Sequence, residues 1–459
     1  MAKEESTRTI NPSQKVGLGE KICFFFCNVG NIPLMTLLNS YFLIFYTDVV
    51  GLDAGALATL FLISKVVDAV SDPLTGYLLD RVKPGKWGKF RPTLIIGTVI
   101  CSINYALLWF GAVWSPVYKY VIVYVTYLAL GFTFDIMDIS LNSILPVMSS
   151  DTQERNTLGG IKGVAYTGGM LVISIVAPYI VADSTLESYY VLIFGSLAVV
   201  VVCSIGGALG LKERVKFVDD EGNEEEHYSI KEMLRFLVMR PVLVVFAVNL
   251  LCTIGGNISS GASTYFYTYV MGDLTVYSLV SVISTVAAIP AMFVGLALSN
   301  RIGKKRVYVI AYGVGAAFSF IRLFDVTNLV LLYVGTALSS FMIGLCGALS
   351  YGLQADNTTY VQYTSGKHAE GAIASLSSLV TKVAQGIGGA IPGYVLEWTG
   401  YVASAEVQTA AALNGITACA VVLPAVGYLV SALIMALGYN LTNEDVQTMS
   451  AAIAERENA

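Results

Sequence analysis

The chain has 459 residues, of which 55% are hydrophobic and only 13% are charged, and its mean hydropathy is +0.69. Soluble proteins carry about 25% charged residues, so this composition indicates a protein whose surface faces lipid. The net charge of −5 offers no basic surface for nucleic acid. The seven scattered cysteines and two histidines argue against a disulfide framework or a zinc site.

Twelve apolar runs follow one another along the chain, and each approaches the length of about 20 residues that a bilayer-crossing helix needs. They lie at residues 22–47, 55–80, 93–113, 118–148, 159–183, 189–210, 242–271, 275–299, 306–324, 329–355, 371–398 and 412–438. The longest connection, residues 211–241, is acidic and separates the first six runs from the last six. We therefore predict an all-α membrane protein with six-helix bundles at 22–210 and 242–438.

The placement of lysine and arginine supports this count, because cytoplasmic loops carry an excess of positive charge. With a cytoplasmic N-terminus, most of the 27 basic residues fall on the inner side. Only Lys119 and Arg322 fall on the outer side. The segments 1–21, 211–241 and 439–459 are then all predicted to be cytoplasmic.

The two halves resemble each other at a nearly constant spacing, as expected for a transporter built from repeats. Residues Gly76–Arg81 end the second run and Gly295–Arg301 end the eighth, and a basic loop follows each of them. Lys162 in the fifth run corresponds to Lys382 in the eleventh, and Asp138 in the fourth corresponds to Asp356 in the tenth. These matches predict an internal repeat.

Several ionisable side chains fall inside the predicted spans, where inserting a charge costs about 2.5–3.5 kcal/mol, so they are functional candidates. The second run carries Lys65, Asp68 and Asp72 at spacings that place them on one helix face. Ser71 and Asp72 precede Pro73, whose ring weakens the local backbone hydrogen bonds and can free a carbonyl.

Oxygen ligands suit hard cations such as Na⁺, and crowded carboxylates with little water also gain affinity for protons. Asp68 and Asp72, together with Ser71, therefore form a candidate site for a coupling cation, which is either Na⁺, held as a metal ion, or H⁺. The alternative is that Lys65 and the two aspartates only neutralise one another as a structural network.

Other spans and the inner loops contribute further candidates. Asp138 is a candidate for binding a pair of sugar hydroxyls, and Asp135 on the same helix face for a cation, substrate or structural contact. Lys382 is a candidate for bridging the halves by pairing with aspartates, or for binding substrate. Gating or structural salt bridges are expected for Lys65, Asp80, Arg81, Lys89, Arg91 and Asp356.

Four segments resemble the glycoside–pentoside–hexuronide:cation symporters, a family with the major facilitator fold. They are Tyr46–Leu52, Asp68–Pro73, Gly88–Pro92 and Asp135–Ile139. The resemblance implies twelve transmembrane helices in two pseudo-symmetric halves, in a bacterial inner membrane. It also implies symport of a sugar, glycoside or uronide with Na⁺, Li⁺ or H⁺. We expect a monomer that is not an enzyme and holds no covalent cofactor.

The resemblance also implies roles for single residues. Asp68 and Asp72 match the family's cation-binding aspartates, and Asp138 matches a sugar-binding aspartate. Asp135 stands where the family has a threonine of its cation site. Lys65, Lys162 and Lys382 match basic positions in spans two, five and eleven.

The sequence departs from the family on the sugar side. Ile32 stands where the best-known member has a second sugar-binding aspartate, with Asn31 beside it and Asn28 one turn earlier, and Asn142 replaces an aromatic residue. An anionic uronide stays open, because Lys162 and Asn31 could receive a carboxylate. Substrate binding is predicted for Asp138, Lys162, Asn31, Asn28, Asn142 and Lys382.

Two other functions remain as hypotheses. The missing aspartate leaves room for a carrier of a lipid-like or aromatic solute on the same scaffold. A membrane enzyme or sensor has little support, because His227 and His368 fall in predicted cytoplasmic loops and no nucleophile motif is present.

Asp72→Cys removes one carboxylate from the predicted cation site. We expect the variant to lose cation-driven accumulation of a transported glycoside in membrane vesicles, while exchange or downhill flux persists. Retained concentrative uptake would remove Asp72 from the cation site.

Overall fold

The computed structural model describes residues 16–82, 85, 87–149, 151–214, 235–366, 370–405 and 407–458. His227, His368 and most of the predicted linker lie outside these residues. The described part is helical, and its one β-bridge joins Gly85 and Gly88. The helices are α1 (Leu18–Ile44), α2 (Ala54–Asp80), α3 (Phe90–Trp114), α4 (Lys119–Met148), α5 (Thr152–Ile180), α6 (Leu186–Gly210), α7 (Arg240–Tyr265), α8 (Val276–Ile302), α9 (Lys304–Ile321), α10 (Leu329–Gly344), α11 (Leu349–Ser365), α12 (Glu370–Trp398), α13 (Ala410–Thr417), α14 (Leu423–Gly438) and α15 (Asn443–Asn458).

Nine helical stretches in the described part are long and apolar enough to cross a membrane. They account for every predicted run except the second, the ninth and the eleventh. Helices α2, α9 and α12 occupy those three runs. α2 carries three charged residues in mid-helix, and α9 begins with Lys304, Lys305 and Arg306. The all-helical membrane fold is confirmed, while the crossing of the bilayer by these three helices stays a prediction.

The described residues form two compact units. The first draws on residues up to 37, on 70–173 and on 186–221. The second contains residues 38–69, 174–185 and those from 222 onward. The last two turns of α1, from residue 38, and the part of α2 up to residue 69 thus belong to the same unit as α7 to α15. The bundle boundaries predicted at 22–210 and 242–438 stay a prediction.

Within the first unit, α3 and α6 cap each other. The carboxylate of Glu213, just after α6, accepts hydrogen bonds of 2.8 Å from the backbone N–H groups of Lys89, Phe90 and Arg91. These are N–H groups that a helix start leaves without intrahelical partners. The guanidinium of Arg91 donates in return to two carbonyls at the end of α6, at 3.0 and 2.8 Å.

Within the second unit, close backbone contacts join the early helices to the late ones. The Thr264 hydroxyl on α7 donates to the Ser40 carbonyl on α1 at 3.0 Å. A Cβ at Gly393 of α12 would lie 2.6 Å from the Ala54 carbonyl oxygen, so α12 packs against α2 at backbone distance. Glycine at 393 is what allows this approach.

Helices α1 and α7 end in the same way. Phe45–Val49 and Phe266–Val270 share the pattern Phe-Tyr-Thr-x-Val, and each forms a π-helical turn. Two residues later, Gly51 and Gly272 adopt positive φ angles of 70° and 73°, which glycine reaches without steric cost. The internal repeat therefore extends to the local geometry of these two helix ends.

Gly295→Ala tests the packing of α8. A Cβ at Gly295 would lie 2.0 Å from the carbonyl oxygen of Leu345, and one backbone or the other must then move. We expect a loss of about 1–3 kcal/mol in stability, seen as a lower thermal unfolding temperature in detergent. Gly195→Ala in α6 is the control, because a Cβ there meets nothing within 4 Å. Equal stability of the two variants would contradict the close packing.

Candidate functional site

A polar cluster in the first unit is centred on Asp138 of α4. The Asn31 amide on α1 donates to Asp138 Oδ1 at 2.6 Å. The Asn142 amide, one turn along α4, donates to Asp138 Oδ2 at 2.8 Å. The Asn31 carbonyl oxygen is buried and has no hydrogen-bond partner in the described part of the chain. Two amides thus hold both carboxylate oxygens and leave one amide acceptor open.

Lys162 of α5 joins this cluster through Asn142. Its ammonium donates to the Asn142 side-chain oxygen, whose amide nitrogen donates to Asp138. The lysine is therefore linked to the aspartate through one amide. An ammonium has three N–H donors, so further donors of Lys162 can serve a bound molecule.

Two other positions of the predicted sugar side, Ile32 and Asn28, lie on α1 and make the following contacts in the structure. Ile32 is buried on α1 and packs so closely on Gly169 of α5 that a Cβ there would lie 2.6 Å from Ile32 Cδ1. The Asn28 amide is also buried and donates to the Phe24 carbonyl of its own helix at 2.7 Å. Neither the Ile32–Gly169 contact nor the Asn28–Phe24 hydrogen bond involves a residue of the Asp138 cluster.

A second charged cluster lies in the second unit, on α2 and α12. The Lys65 ammonium lies 2.7 Å from Asp68 Oδ2, with 29% and 17% of the two side chains exposed. Lys382 of α12 interacts electrostatically with both residues. One turn further along α12, a Cβ at Gly386 would lie 2.8 Å from Lys65 Cγ, so α12 packs against the lysine stem. The Asp68 carboxylate thus has the ammonium groups of Lys65 and Lys382 nearby.

The other predicted cation ligands lie on α2 and α4. Ser71 is buried and Asp72 is half-buried in the continuous helix α2, and Asp135 is half-buried on α4. Within the described residues, no group of three or more His, Cys, Asp or Glu side chains is placed to hold a metal ion. The cation assignment therefore depends on Asp68 and Asp72 as neighbours on one helix.

Apart from Lys65, the described side chains predicted to form gating salt bridges make the following contacts outside the Asp138 and Asp68 clusters. Lys304 on α9 and Asp356 on α11 form an ion pair of 2.7 Å in the second unit. The Arg81 guanidinium lies 4.2 Å from the Tyr77 ring centroid, and the Lys89 ammonium lies over the ring of Phe90. Asp80 is the last residue of α2.

A third cluster, around Asp48, is not among the sites predicted from the sequence. Its Oδ1 accepts the hydroxyls of Thr47 and Tyr401 at 2.7 and 2.6 Å, and Oδ2 accepts the Tyr269 hydroxyl. All four residues belong to the second unit. The Phe-Tyr-Thr pattern at 45–47 and 266–268 is the signal that could have paired Asp48 with Tyr269.

Comparisons with known proteins agree with this architecture. A family model described as MFS/sugar transport protein matches residues 23–443. The isoprimeverose transporter of Lactiplantibacillus pentosus is 30% identical over 419 residues, covering 89% of this chain and 85% of the relative. The putative glycoside/cation symporter YagG of Escherichia coli K12 is 28% identical over 448 residues, covering 95% and 92%.

Among solved structures, a D-xylose–proton symporter matches with a TM-score of 0.62 at 14% identity, covering 93% of this chain and 98% of that one. At this identity the match shows the shared fold alone. The family model spans nearly the whole chain, and the nine apolar helical stretches of the described part fit a multi-pass membrane protein. The chain belongs to the MFS/sugar transport protein family, and it is a membrane transporter rather than an enzyme.

Proposed function

We propose that this transporter carries a sugar, glycoside or uronide across a bacterial inner membrane together with Na⁺ or H⁺. It acts by alternating access, as a monomer with both termini in the cytoplasm. The relatives named for isoprimeverose and for glycoside/cation symport support a sugar-like solute and a coupling cation. The excess of basic residues in the predicted inner loops supports the orientation.

The Asp138 cluster carries the proposal for the solute. Each sugar hydroxyl both donates and accepts, so a sugar needs donors and acceptors side by side. Each oxygen of Asp138 keeps a second lone pair, the Asn31 oxygen is an open acceptor, and Lys162 retains donors. A lipid-like solute would leave these groups unpaired, at about 1–3 kcal/mol for each buried group. The cluster therefore favours a polyhydroxylated solute over the lipid-like alternative.

The proposed solute site differs from that of the family's best-known member, in which two carboxylates bind the sugar. Ile32 fills its position with a side chain packed on Gly169, so the pocket has one carboxylate where the family's best-known member has two. Lys162 balances the charge of Asp138 through Asn142. A pocket of about zero net charge accommodates neutral glycosides, and the free donors of Lys162 also suit the carboxylate of a uronide.

The cation site is proposed on α2. The Lys65 ammonium pairs with the Asp68 carboxylate in this structure, at the place where we propose that the coupling cation binds. A cation that binds Asp68 and Asp72, with the Ser71 hydroxyl, must displace Lys65. The released Lys65 then keeps its positive charge beside Lys382 at the α2–α12 contact, and the two ammonium groups repel each other. Cation binding is thereby coupled to a change at this contact.

Lys65→Met tests the cation site, because it removes the competing ammonium and keeps the apolar stem. We expect the affinity for Na⁺ or H⁺ to rise about tenfold or more, measured as a larger cation-dependent increase in unfolding temperature. Lys304→Met is the matched control, since it breaks a Lys–Asp pair of the same length, 2.7 Å. If both variants only lose stability, with the same cation dependence as the unmodified protein, Lys65 and Asp68 are a structural pair.

Asn142→Leu tests the solute site. The variant breaks the hydrogen bonds that link Lys162 to Asp138, and we expect about tenfold weaker solute binding. Binding is measured by thermal shift with a panel of neutral glycosides and uronides, with and without Na⁺. Asn257→Leu is the control, because its amide donates to the Thr253 carbonyl of its own helix, α7, at 2.8 Å. An unchanged affinity in Asn142→Leu, or an equal loss in both variants, would contradict the assignment.

A further inference from the structure

The hydrogen bonds around Asp48 connect three segments that are far apart in sequence. Tyr269, in the π turn after α7, and Tyr401, in the loop after α12, both donate to its carboxylate. The Ser404 hydroxyl donates to the Asp48 backbone carbonyl at 2.9 Å. Thr47 also shares a hydrogen bond of 2.7 Å with the Tyr265 hydroxyl. Hydrogen bonds from hydroxyl groups therefore tie the end of α1 to α7 and to residues 401–404.

Asp48 and Tyr269 occupy the same position in the two repeats. Each is the fourth residue of its π turn, in Phe45–Val49 and in Phe266–Val270. Two aspartates at this place would repel each other, and two tyrosines would lack a strong acceptor. The sequence difference between the repeats thus creates an acceptor on one helix end and its donor on the other.

The third segment is held in a strained conformation. Ser404 has a φ of 56°, in the left-handed region that is sterically unfavourable for a residue with a side chain. Such strain persists where neighbouring contacts enforce it, and it concentrates at functional sites. In this conformation the Ser404 hydroxyl makes its bond to the Asp48 carbonyl.

Ion pairs at the predicted inner side have a different pattern. In the described part of the chain, Lys21 pairs with Glu154, Arg214 with Glu20, and Lys304 with Asp356. In each of these pairs both residues precede residue 215 or both follow residue 234. The Asp48 cluster instead joins α1 of the first repeat to α7 and α12–α13 of the second. It is therefore placed to respond when the two repeats move apart at this end.

We propose that Asp48 is the centre of an outer latch, formed with Tyr269 and Tyr401, that holds the transporter closed on the side opposite the cytoplasm. The latch rests on the proposed transport by alternating access, in which the outer ends of the repeats must separate to admit solute. Opening breaks the hydroxyl bonds to Asp48. Asp48 is a positioning residue for this step and has no contact with solute.

Single substitutions remove the latch bonds one at a time. Tyr269→Phe and Tyr401→Phe each delete one hydroxyl oxygen, and Asp48→Asn exchanges an acceptor oxygen for a donor. Each lost bond to the carboxylate shifts the ratio of open to closed molecules about tenfold toward open. Tyr190→Phe is the matched control, because it deletes a tyrosine hydroxyl that accepts the Trp114 indole N–H within the first repeat, at 3.0 Å.

The experiment measures the outer opening directly by electron paramagnetic resonance in lipid nanodiscs, without solute. Spin labels are attached through unnatural side chains at Val117 and Val407, which are 87% and 85% exposed, so the native cysteines stay in place. We expect Asp48→Asn, Tyr269→Phe and Tyr401→Phe to enlarge the long-distance population about tenfold. Tyr190→Phe should give the distribution of the unmodified protein.

Unchanged distance distributions in the three latch variants would overturn the proposal. If Asp48→Asn does not fold, the two phenylalanine variants decide the outcome, with thermal unfolding as the check of folding. The double variant Asp48→Ala/Tyr269→Phe should open no further than Asp48→Ala alone, since Asp48→Ala already removes the acceptor of the Tyr269 hydroxyl; full additivity would also overturn the latch. The distances need no solute, so a failure of the proposed symport would be seen separately, as absent accumulation.

Discussion

A polar group in a helix that faces lipid must find its partner inside the protein, because the bilayer core offers no water to replace one. The described carboxylates meet this constraint with different chemistry. Asp138 is held by two amides, Asp68 and Asp356 by lysines, and Asp48 by hydroxyls. Amides and hydroxyls leave a carboxylate able to exchange partners at little electrostatic cost, whereas an ammonium neutralises it.

At two pairs of corresponding positions, the two repeats carry the same residue type but have different interaction partners. Asp138 and Asp356 correspond in the sequence, yet Asp138 lies in an amide cluster and Asp356 is buried against Lys304. Lys162 and Lys382 correspond as well, and one is linked to Asp138 through Asn142 while the other lies near Asp68. The first repeat thus carries the proposed solute chemistry, and the second contributes partners to α1 and α2.

Hydropathy predicted the helices well, because lipid exposure is a property of short segments, while the orientation inferred from loop charge stays a prediction. The polar residues of the proposed solute site were singled out from the sequence, but not their order of bonding, since the bond from Lys162 to Asn142 depends on how α4 and α5 pack. Asp48 was missed for a related reason. Its partner Tyr401 lies 353 residues away, and no local pattern connects them.

The π turns at the ends of α1 and α7 have a consequence for how these tips can vary. A π turn closes its hydrogen bonds one residue later than an α turn, and each residue of an α-helix advances the chain by about 100° around the axis. Whatever follows Phe45–Val49 is therefore rotated by about one residue position relative to a plain helix, and the same holds after Phe266–Val270. A one-residue deletion in only one of the two π turns would rotate the end of that helix away from the end of the other helix. The two helix ends thus constrain each other's length, although they are far apart in the chain.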